Sequence, residues 1–353
     1  MGKKVLLAVL DWGLGHATRS SVIIREVISQ GHTPLVISSG EALRWIQSEF
    51  PELKTFSLPS LEMKYFSFFG ALISAVWYTP RLLWIIHQEK ELVKKIVDQE
   101  KIDLIVSDNR YGSRHPLVKS VLVCHFLNIV LPGRWKVFSP LLNFFYNRWL
   151  KRFHEIWIPD DASRRLSGEL SKVGLPSGML KFIGPLSRFT PVQPTIEKTY
   201  DVTAIISGPE PLKSRFAEKI FSSLSGFPGR CLVLVGGNEL LVPSVEKVEL
   251  RYNVSTSALE EIICRTRLVI SRSGYSSIMD YDRLQCRVLM VPTPGQPEQL
   301  YLARLMAERG HAAYVGEEQL DQEIIRESMT SKMIFRGGSS PDLLESQIRQ
   351  SLL

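Results

Sequence analysis

Val5-Leu6-Leu7-Ala8-Val9-Leu10-Asp11-Trp12-Gly13-Leu14-Gly15-His16 is an apolar run that ends in an acid, two glycines and a histidine. The run reads as a buried strand, and the glycines read as a tight turn into a helix. Far downstream, Leu268-Val269-Ile270-Ser271-Arg272-Ser273-Gly274 repeats the design, again a strand followed by a small-residue turn and a helix. At such a joint the free N–H groups and the helix dipole favour a phosphate or a developing negative charge. Two of them predict an α/β protein with two doubly wound domains of nucleotide-binding type, facing each other across a cleft.

At 353 residues, the chain is long enough for two cores, and its 44% hydrophobic and 22% charged residues are those of an ordinary folded protein. Cys124, Cys231, Cys264 and Cys286 lie far apart with no CxxC. They predict reduced thiols rather than a zinc site or disulfide framework. Asp11 ends the first apolar run too early for a signal peptide. The net charge of +7 points to an anionic partner. No nucleic-acid-binding motif accompanies it, so nucleotide phosphates and acidic lipid head groups fit better.

Working outward, strands are expected at Val5–Leu10, Thr33–Ser38, Lys54–Leu58, Asp103–Ser107, Ser120–Cys124 and Glu155–Ile158, with helices at Thr18–Gln30 and Asp161–Lys172. A second series follows at Asp201–Ser207, Cys231–Val235, Leu268–Ile270 and Arg287–Val291. The alternation is that of doubly wound parallel sheets. Pro185, Pro191 and Pro194 mark a linker, giving domains over 1–185 and 201–353 joined by 186–200. A terminal helix from Pro341 to Leu353 could pack on either domain.

Two segments stand outside this pattern. Met63 to Gln88 is rich in aromatics, among them Trp77 and Trp84, contains Arg81 and has no acid. Leu131 to Phe153 mixes Arg134, Trp135, Phe144 and Phe145 with further bases, again without an acid. Basic, aromatic amphipathic segments suit an anionic membrane interface. A role as core helices with solvated bases is the alternative. Pro80 leaves the first apolar run short of the roughly 20 residues a spanning helix needs.

The chemistry gathers at the expected carboxyl edges of the two sheets. His16 at the first joint suits a general base near neutral pH, with Asp11 or Asp108 as its candidate helper, although a capping histidine would look the same. Asn109, Arg110 and Tyr111 after one strand, and His125 after the next, are candidates for the acceptor. At the second joint, Ser273 and Gly274 offer backbone amides to a diphosphate, and Asp280 offers a carboxylate to sugar hydroxyls. Glu298 and Gln299 open the next helix at the same edge. Asp280-Tyr281-Asp282 spells DxD, but residues two apart on a helix point about 200° apart and cannot chelate one ion. No metal is expected.

The Gly-x-Gly-His joint and the Arg272-Ser273-Gly274…Asp280…Gln296…Glu298-Gln299 block resemble the GT-B-fold glycosyltransferases, specifically the peptidoglycan-precursor N-acetylglucosaminyltransferase family. The resemblance covers most of the chain in arrangement but is specific only in those two blocks. It implies a C-terminal domain that holds a UDP-sugar as substrate, with no cofactor, and an N-terminal domain that receives the acceptor. It places Asp280 where relatives carry a glutamate on the nucleotide ribose, and Glu298 and Gln299 on the donor sugar. Ser207 and Gly208 fall in a donor-side loop, whose prolines depart from the glycine-rich family pattern. Gly13 and Gly15 flank the donor's reactive end with His16, and Arg272, Tyr275, Ser276 and Gln296 complete the donor set.

The expected reaction is inverting, metal-independent transfer to a lipid-linked or membrane acceptor by a bacterial envelope enzyme. That enzyme would be cytoplasmic and peripheral on the inner face of the membrane. A nucleotide-sugar hydrolase or epimerase of the same fold is the first alternative, since Gly-x-Gly-His-x-x-Arg also resembles such hydrolases. A non-catalytic nucleotide-sugar-binding subunit is the second.

Overall fold

A computed structural model of the chain describes residues 2–58, 68–130, 137–190, 196–237, 247–338 and 342–353. The chain divides into two compact units, Met1–Leu186 with Ser339–Leu353, and Ser187–Gly338. The strands of the first unit are β1 (Lys4–Val9), β2 (Thr33–Ser38), β3 (Lys54–Ser57), β4 (Leu104–Asp108), β5 (Lys119–Val123), β6 (Glu155–Ile158) and β7 (Leu180–Phe182). They form one sheet in the order β3-β2-β1-β4-β5-β6-β7, every pair parallel. Val5 to Val9 are buried, as expected of a strand covered on both faces. The order reverses between β1 and β4, which makes their carboxyl ends the binding edge of an open α/β sheet.

The helices of this unit are α1 (Leu14–Ser29), α2 (Gly40–Glu49), α3 (Phe68–Glu100) and α4 (Ser139–Leu150). Within α3, Ile85, Glu89, Val93, Ile96 and Val97 form a buried stripe at helical spacing, and Val93, Ile96 and Val97 pack on Leu6, Ala8 and Leu35 of the sheet. Pro80 lies inside this helix. Among the described residues no helix is long and apolar enough to cross a membrane.

The helix expected over Asp161–Lys172 is replaced by turns and a short 3-10 helix at Gly168–Ser171. Asp160 is the physical reason. Its buried carboxylate accepts from the backbone N–H groups of Asp161, Leu166 and Ser167, and from the Ser167 hydroxyl at 2.6 Å. Those donors close a loop around one side chain and cannot propagate a helix.

In the second unit the strands are β8 (Tyr200–Ile206), β9 (Cys231–Val235), β10 (Val248–Tyr252), β11 (Thr266–Ser271), β12 (Val288–Met290) and β13 (Ala313–Tyr314), ordered β10-β9-β8-β11-β12-β13 and again all parallel. The reversal falls between β8 and β11. Its helices are α5 (Leu212–Leu224), α6 (Thr256–Cys264), α7 (Tyr275–Leu284), α8 (Pro297–Glu308) and α9 (Gln322–Thr330). Val202, Ala204, Phe216, Ile220, Val233 and Leu268 anchor its core. The short strands β7, β10 and β13 lie outside the strands expected from the sequence.

The expected linker begins as ordered structure of the second unit. Phe189 is buried, and Ser187 donates to Asp280 at 2.7 Å. Residues 191–195, including Pro191 and Pro194, lie outside the described part. The last helix, α10 (Asp342–Leu352), belongs to the first unit rather than to a domain running over 201–353. Ile348 is fully buried, and Gln347 donates to Glu155 at 3.0 Å.

Candidate functional site

In the first unit, β1 and β4 lie side by side with Val9 opposite Asp108. Gly13 precedes α1 at φ 73°, a left-handed conformation that glycine adopts at little cost. This turn sets His16, Arg19 and Ser20 on one helix face, at i, i+3 and i+4. All three converge on Asp108. His16 Nδ1 stands 2.9 Å from Asp108 Oδ1, Arg19 Nε donates to Oδ2 at 2.8 Å, and Ser20 Oγ donates to Oδ2 at 2.9 Å. Arg19 Nη2 donates to Oδ1 as well, closing a bidentate pair. On its far side, Arg19 Nη1 lies 3.4 Å from His125 Nδ1.

Arg19, Asp108 and His125 are buried, while the His16 side chain keeps 15% of its surface open. Burial alone would raise the Asp108 carboxyl, but Arg19 and His16 beside it hold it well below the usual carboxylate range. Burial and the Arg19 charge lower the His16 imidazole against the opposing pull of Asp108, so the ring is neutral near pH 7.

Both shifts carry the same sign for stability. The unfolded chain binds the extra protons, so stability is complete above the ordinary value and declines below it. The decline begins near 6.5 for His16 and near 3.8 for Asp108. The urea midpoint of the first unit should therefore fall between about pH 7 and about pH 5, with a slope of at most about 1.4 kcal/mol per pH unit for one proton. His16→Gln should flatten that slope, which denaturation by urea at a series of pH values would show.

The other residues expected here divide into those at the edge and those that build it. The Asp11 carboxylate accepts from the Ala42 N–H at 3.2 Å, at the start of α2. Gly15 lies in the first turn of α1, where its carbonyl accepts from Thr18 Oγ1 at 3.1 Å. Arg110 is buried and structural, donating to Glu89 at 2.9 Å, Ser39 at 2.8 Å and the Val9 carbonyl at 2.6 Å. It is not an acceptor ligand, because its guanidinium is spent on the corner between β1 and α3. Tyr111 hydrogen-bonds Tyr146 OH at 2.8 Å and packs edge-on to Trp149, tying the β4 loop to α4. Asn109 stays at the edge at φ 55°, and its buried Oδ1 has no hydrogen-bond partner among the described residues.

Trp84 is 52% exposed and Arg81 is exposed on α3. Arg134 and Trp135 lie outside the described residues, as does the side chain of Trp77. On α4, Leu141, Phe144 and Phe145 face outward, with Arg148, Lys151 and Arg152 following them.

In the second unit, Ser207 and Gly208 follow β8 and are exposed, Gly208 at φ 115°. Ser273 and Gly274 follow β11. No side chain caps α7, and the space in front of Gly274 is open, so the positive end of the helix dipole lies at this carboxyl edge. The Ser273 hydroxyl itself is turned inward, donating to the Gln299 carbonyl at 2.8 Å. Gln299 accepts from the Thr293 N–H at 2.9 Å and donates to Gln296 at 2.7 Å, which shapes the loop into α8. Glu298 is half-buried in the first turn of that helix, and Ser276 is half-buried in the first turn of α7.

Two donor candidates are buried. Arg272 is buried, with its guanidinium paired to Glu317 at 2.5 Å, bonded to the carbonyls of Val291 at 3.2 Å and Leu212 at 3.3 Å, and stacked 3.9 Å from the Phe216 ring centre. Tyr275 is buried in the packing of α7. The Arg272 guanidinium is spent on the interior of the unit. The Asp280 carboxylate accepts from Ser187 Oγ at 2.7 Å and pairs with Arg188 at 3.4 Å.

Sequence reasoning gave Arg19 no site role beyond its place in the Gly-x-Gly-His-x-x-Arg match, and it passed over Ser20 and Lys213. The i, i+3, i+4 spacing after His16 was the signal for Arg19 and Ser20. Lys213 is buried in the first turn of α5, and its Nζ stands 3.7 Å from where a Cβ on Gly237 would lie, at the carboxyl end of β9.

Residues 237–334 match the glycosyltransferase family 28 C-terminal domain. Over 86% of the chain, it is 24% identical to an uncharacterized glycosyltransferase of Methanopyrus kandleri, covering 90% of that protein. It is 23% identical over 90% of its length to the UDP-N-acetylglucosamine–N-acetylmuramyl-(pentapeptide) pyrophosphoryl-undecaprenol N-acetylglucosamine transferase of Staphylococcus aureus, 87% of which is covered. Among solved structures, the glycotransferase of kitacinnamycin superposes with a TM-score of 0.66 at 13% identity, covering 99% of this chain and 95% of that one. MurG of Acinetobacter baumannii does so with a TM-score of 0.56 at 12% identity, covering 99% and 94%.

Proposed function

Since the chain is a glycosyltransferase of GT-B fold, we propose that it moves a sugar from a UDP-sugar to a membrane-associated lipid or glycan acceptor, with inversion and without a metal. The observation that carries the reading is the His16–Asp108 pair at the switch point of the first sheet. His16, neutral and with Asp108 at Nδ1, takes the proton of the acceptor hydroxyl as its oxygen attacks the anomeric carbon. The bond from that carbon to the diphosphate breaks, and the diphosphate leaves with the bonding pair; the positive end of α7, in the second unit, suits such an anion. Lys213 adds a positive charge at the same sheet edge. The orphaned Asn109 Oδ1 is suited to accept from an acceptor hydroxyl. The relative that takes an undecaprenol-linked acceptor supports a lipid-linked one here.

The test is release of UDP from a panel of UDP-sugars, with and without a membrane lipid extract. Lipid-dependent release supports transfer. Equal release without lipid supports the hydrolase reading, which the place of Arg19 in the His16 cluster favours. No release from any UDP-sugar overturns the assignment of the donor.

We also propose that α4 meets the inner face of the membrane, cytoplasmic side. Phe144 is 64% exposed and Phe145 57%, ahead of a basic segment. Burying each phenyl contributes about 1.5–3 kcal/mol. Phe144→Ser with Phe145→Ser should therefore weaken binding to anionic phospholipid vesicles by roughly a hundredfold, as vesicle sedimentation would measure. Unchanged sedimentation would remove α4 from the interface.

A further inference from the structure

We propose that Arg19 is a positioning residue for the reaction, which fixes the ring of His16 through Asp108 and selects the nitrogen that carries its proton. The role rests on the reading of His16 as the base. Nδ1 of His16 has two neighbours at nearly equal range, Asp108 Oδ1 at 2.9 Å and Arg19 Nη2 at 3.0 Å. A guanidinium only donates and an ionised carboxylate only accepts, so these neighbours ask for opposite tautomers. Arg19 directs Nε–H and one Nη2–H at the two oxygens of Asp108, and the clamped carboxylate, which can only accept, draws the Nδ1–H of His16 in preference to the second Nη2–H. The carboxylate is then held ionised in one orientation, its Oδ1 takes the Nδ1–H of His16, and Nε2 is left bare as the basic nitrogen.

The second effect is electrostatic. A lone buried carboxylate would make a neighbouring imidazole strongly basic and keep it protonated. With Arg19 clamped on it, Asp108 is neutralised at contact range, and the ring stays unprotonated and ready to accept. Among the described residues, Arg19 from α1, Asp108 from β4, and His125 from the loop after β5, which Arg19 also touches, all act on His16. Tyr111 and Cys124 stand within electrostatic reach of Arg19 and Asp108. Burial raises both, pushing the Cys124 thiol up to about 11, so both are uncharged at neutral pH. Ser20 Oγ donates to the remaining lone pair of Oδ2 and keeps the carboxylate from turning.

A merely structural arginine would leave the titration of His16 unmoved, which makes the inference testable without any substrate. In the full chain with isotope-labelled histidine, assigned through His16→Gln, nitrogen-detected spectra report both the midpoint and the tautomer of His16. The wild type should show the Nδ1–H tautomer and a midpoint below 6.5. Arg19→Met should raise the midpoint by more than one pH unit, a more than tenfold gain in proton affinity. Arg19→Lys, which keeps the charge and loses the fork, should hold the midpoint near wild type and show a mixture of tautomers.

A folded Arg19→Met with an unmoved midpoint overturns the proposal. If that variant does not fold, a single Nδ1–H tautomer in Arg19→Lys overturns it instead. In the UDP-release assay, the acid limb of kcat/KM for Arg19→Met should move to higher pH along with the midpoint. Absence of any release would count against the transferase reading and leave the spectroscopic result standing.

Discussion

His16→Ala lowers turnover by about 10²–10⁴-fold, the range lost with a positioned general base, while affinity for the UDP-sugar stays within a few-fold of wild type. The contrast follows from where the residue sits. His16 lies on the first turn of α1 in the first unit, whereas the proposed diphosphate contacts are backbone N–H groups of α7 in the second. Asp108→Asn lowers turnover in the same direction, because an amide is neutral and no longer anchors Arg19 and Nδ1 as a charged acceptor. Steady-state release of UDP, with donor affinity measured separately by calorimetry, checks both variants. Loss of donor binding in His16→Ala with turnover per bound donor unchanged would move the histidine from catalysis to binding.

The second large effect is on stability. Arg272→Ala should destabilise the second unit by about 3–5 kcal/mol, the cost of stranding one member of a buried pair. Glu317 would be left buried without its guanidinium, the carbonyls of Val291, Pro292 and Leu212 would lose a donor, and Phe216 would lose the cation over its ring. Arg272→Met combined with Glu317→Leu should recover most of the loss, since an apolar pair of similar volume leaves no buried charge. Urea unfolding followed by circular dichroism provides the measurement. A donor-binding arginine would give the opposite pattern, with a stable variant of weakened affinity for UDP.

Arg272 also shows how far the sequence could be read. Its place beside Ser273 and Gly274 in a phosphate-type joint made it a natural donor ligand. Nothing local announces that Glu317, some forty residues later, arrives beneath it. Arg110 failed as a ligand for the same reason. Its partner Glu89 looks like an exposed charge in a polar stretch until the buried stripe of α3 is seen to include it. Asp11 and Asp108 were equal candidates beside His16. The parallel register of β1 against β4 brings Asp108 to the ring, while Asp11 turns to the start of α2.

By itself, the sequence determined what depends on short-range pattern. The apolar runs predicted strands within a residue or two of β1, β2, β6, β8 and β9, and the two small-residue joints located both switch points, because strand burial and turn geometry are encoded within a few neighbouring residues. It did not determine the loop at Asp160, whose carboxylate overrides helical propensity, or the unit to which α10 belongs. Only the tertiary structure decided which charges became catalytic candidates and which became scaffold. A buried charge takes its role from the partner that neutralises it, and that partner comes from a distant part of the chain, across a sheet or beneath a helix.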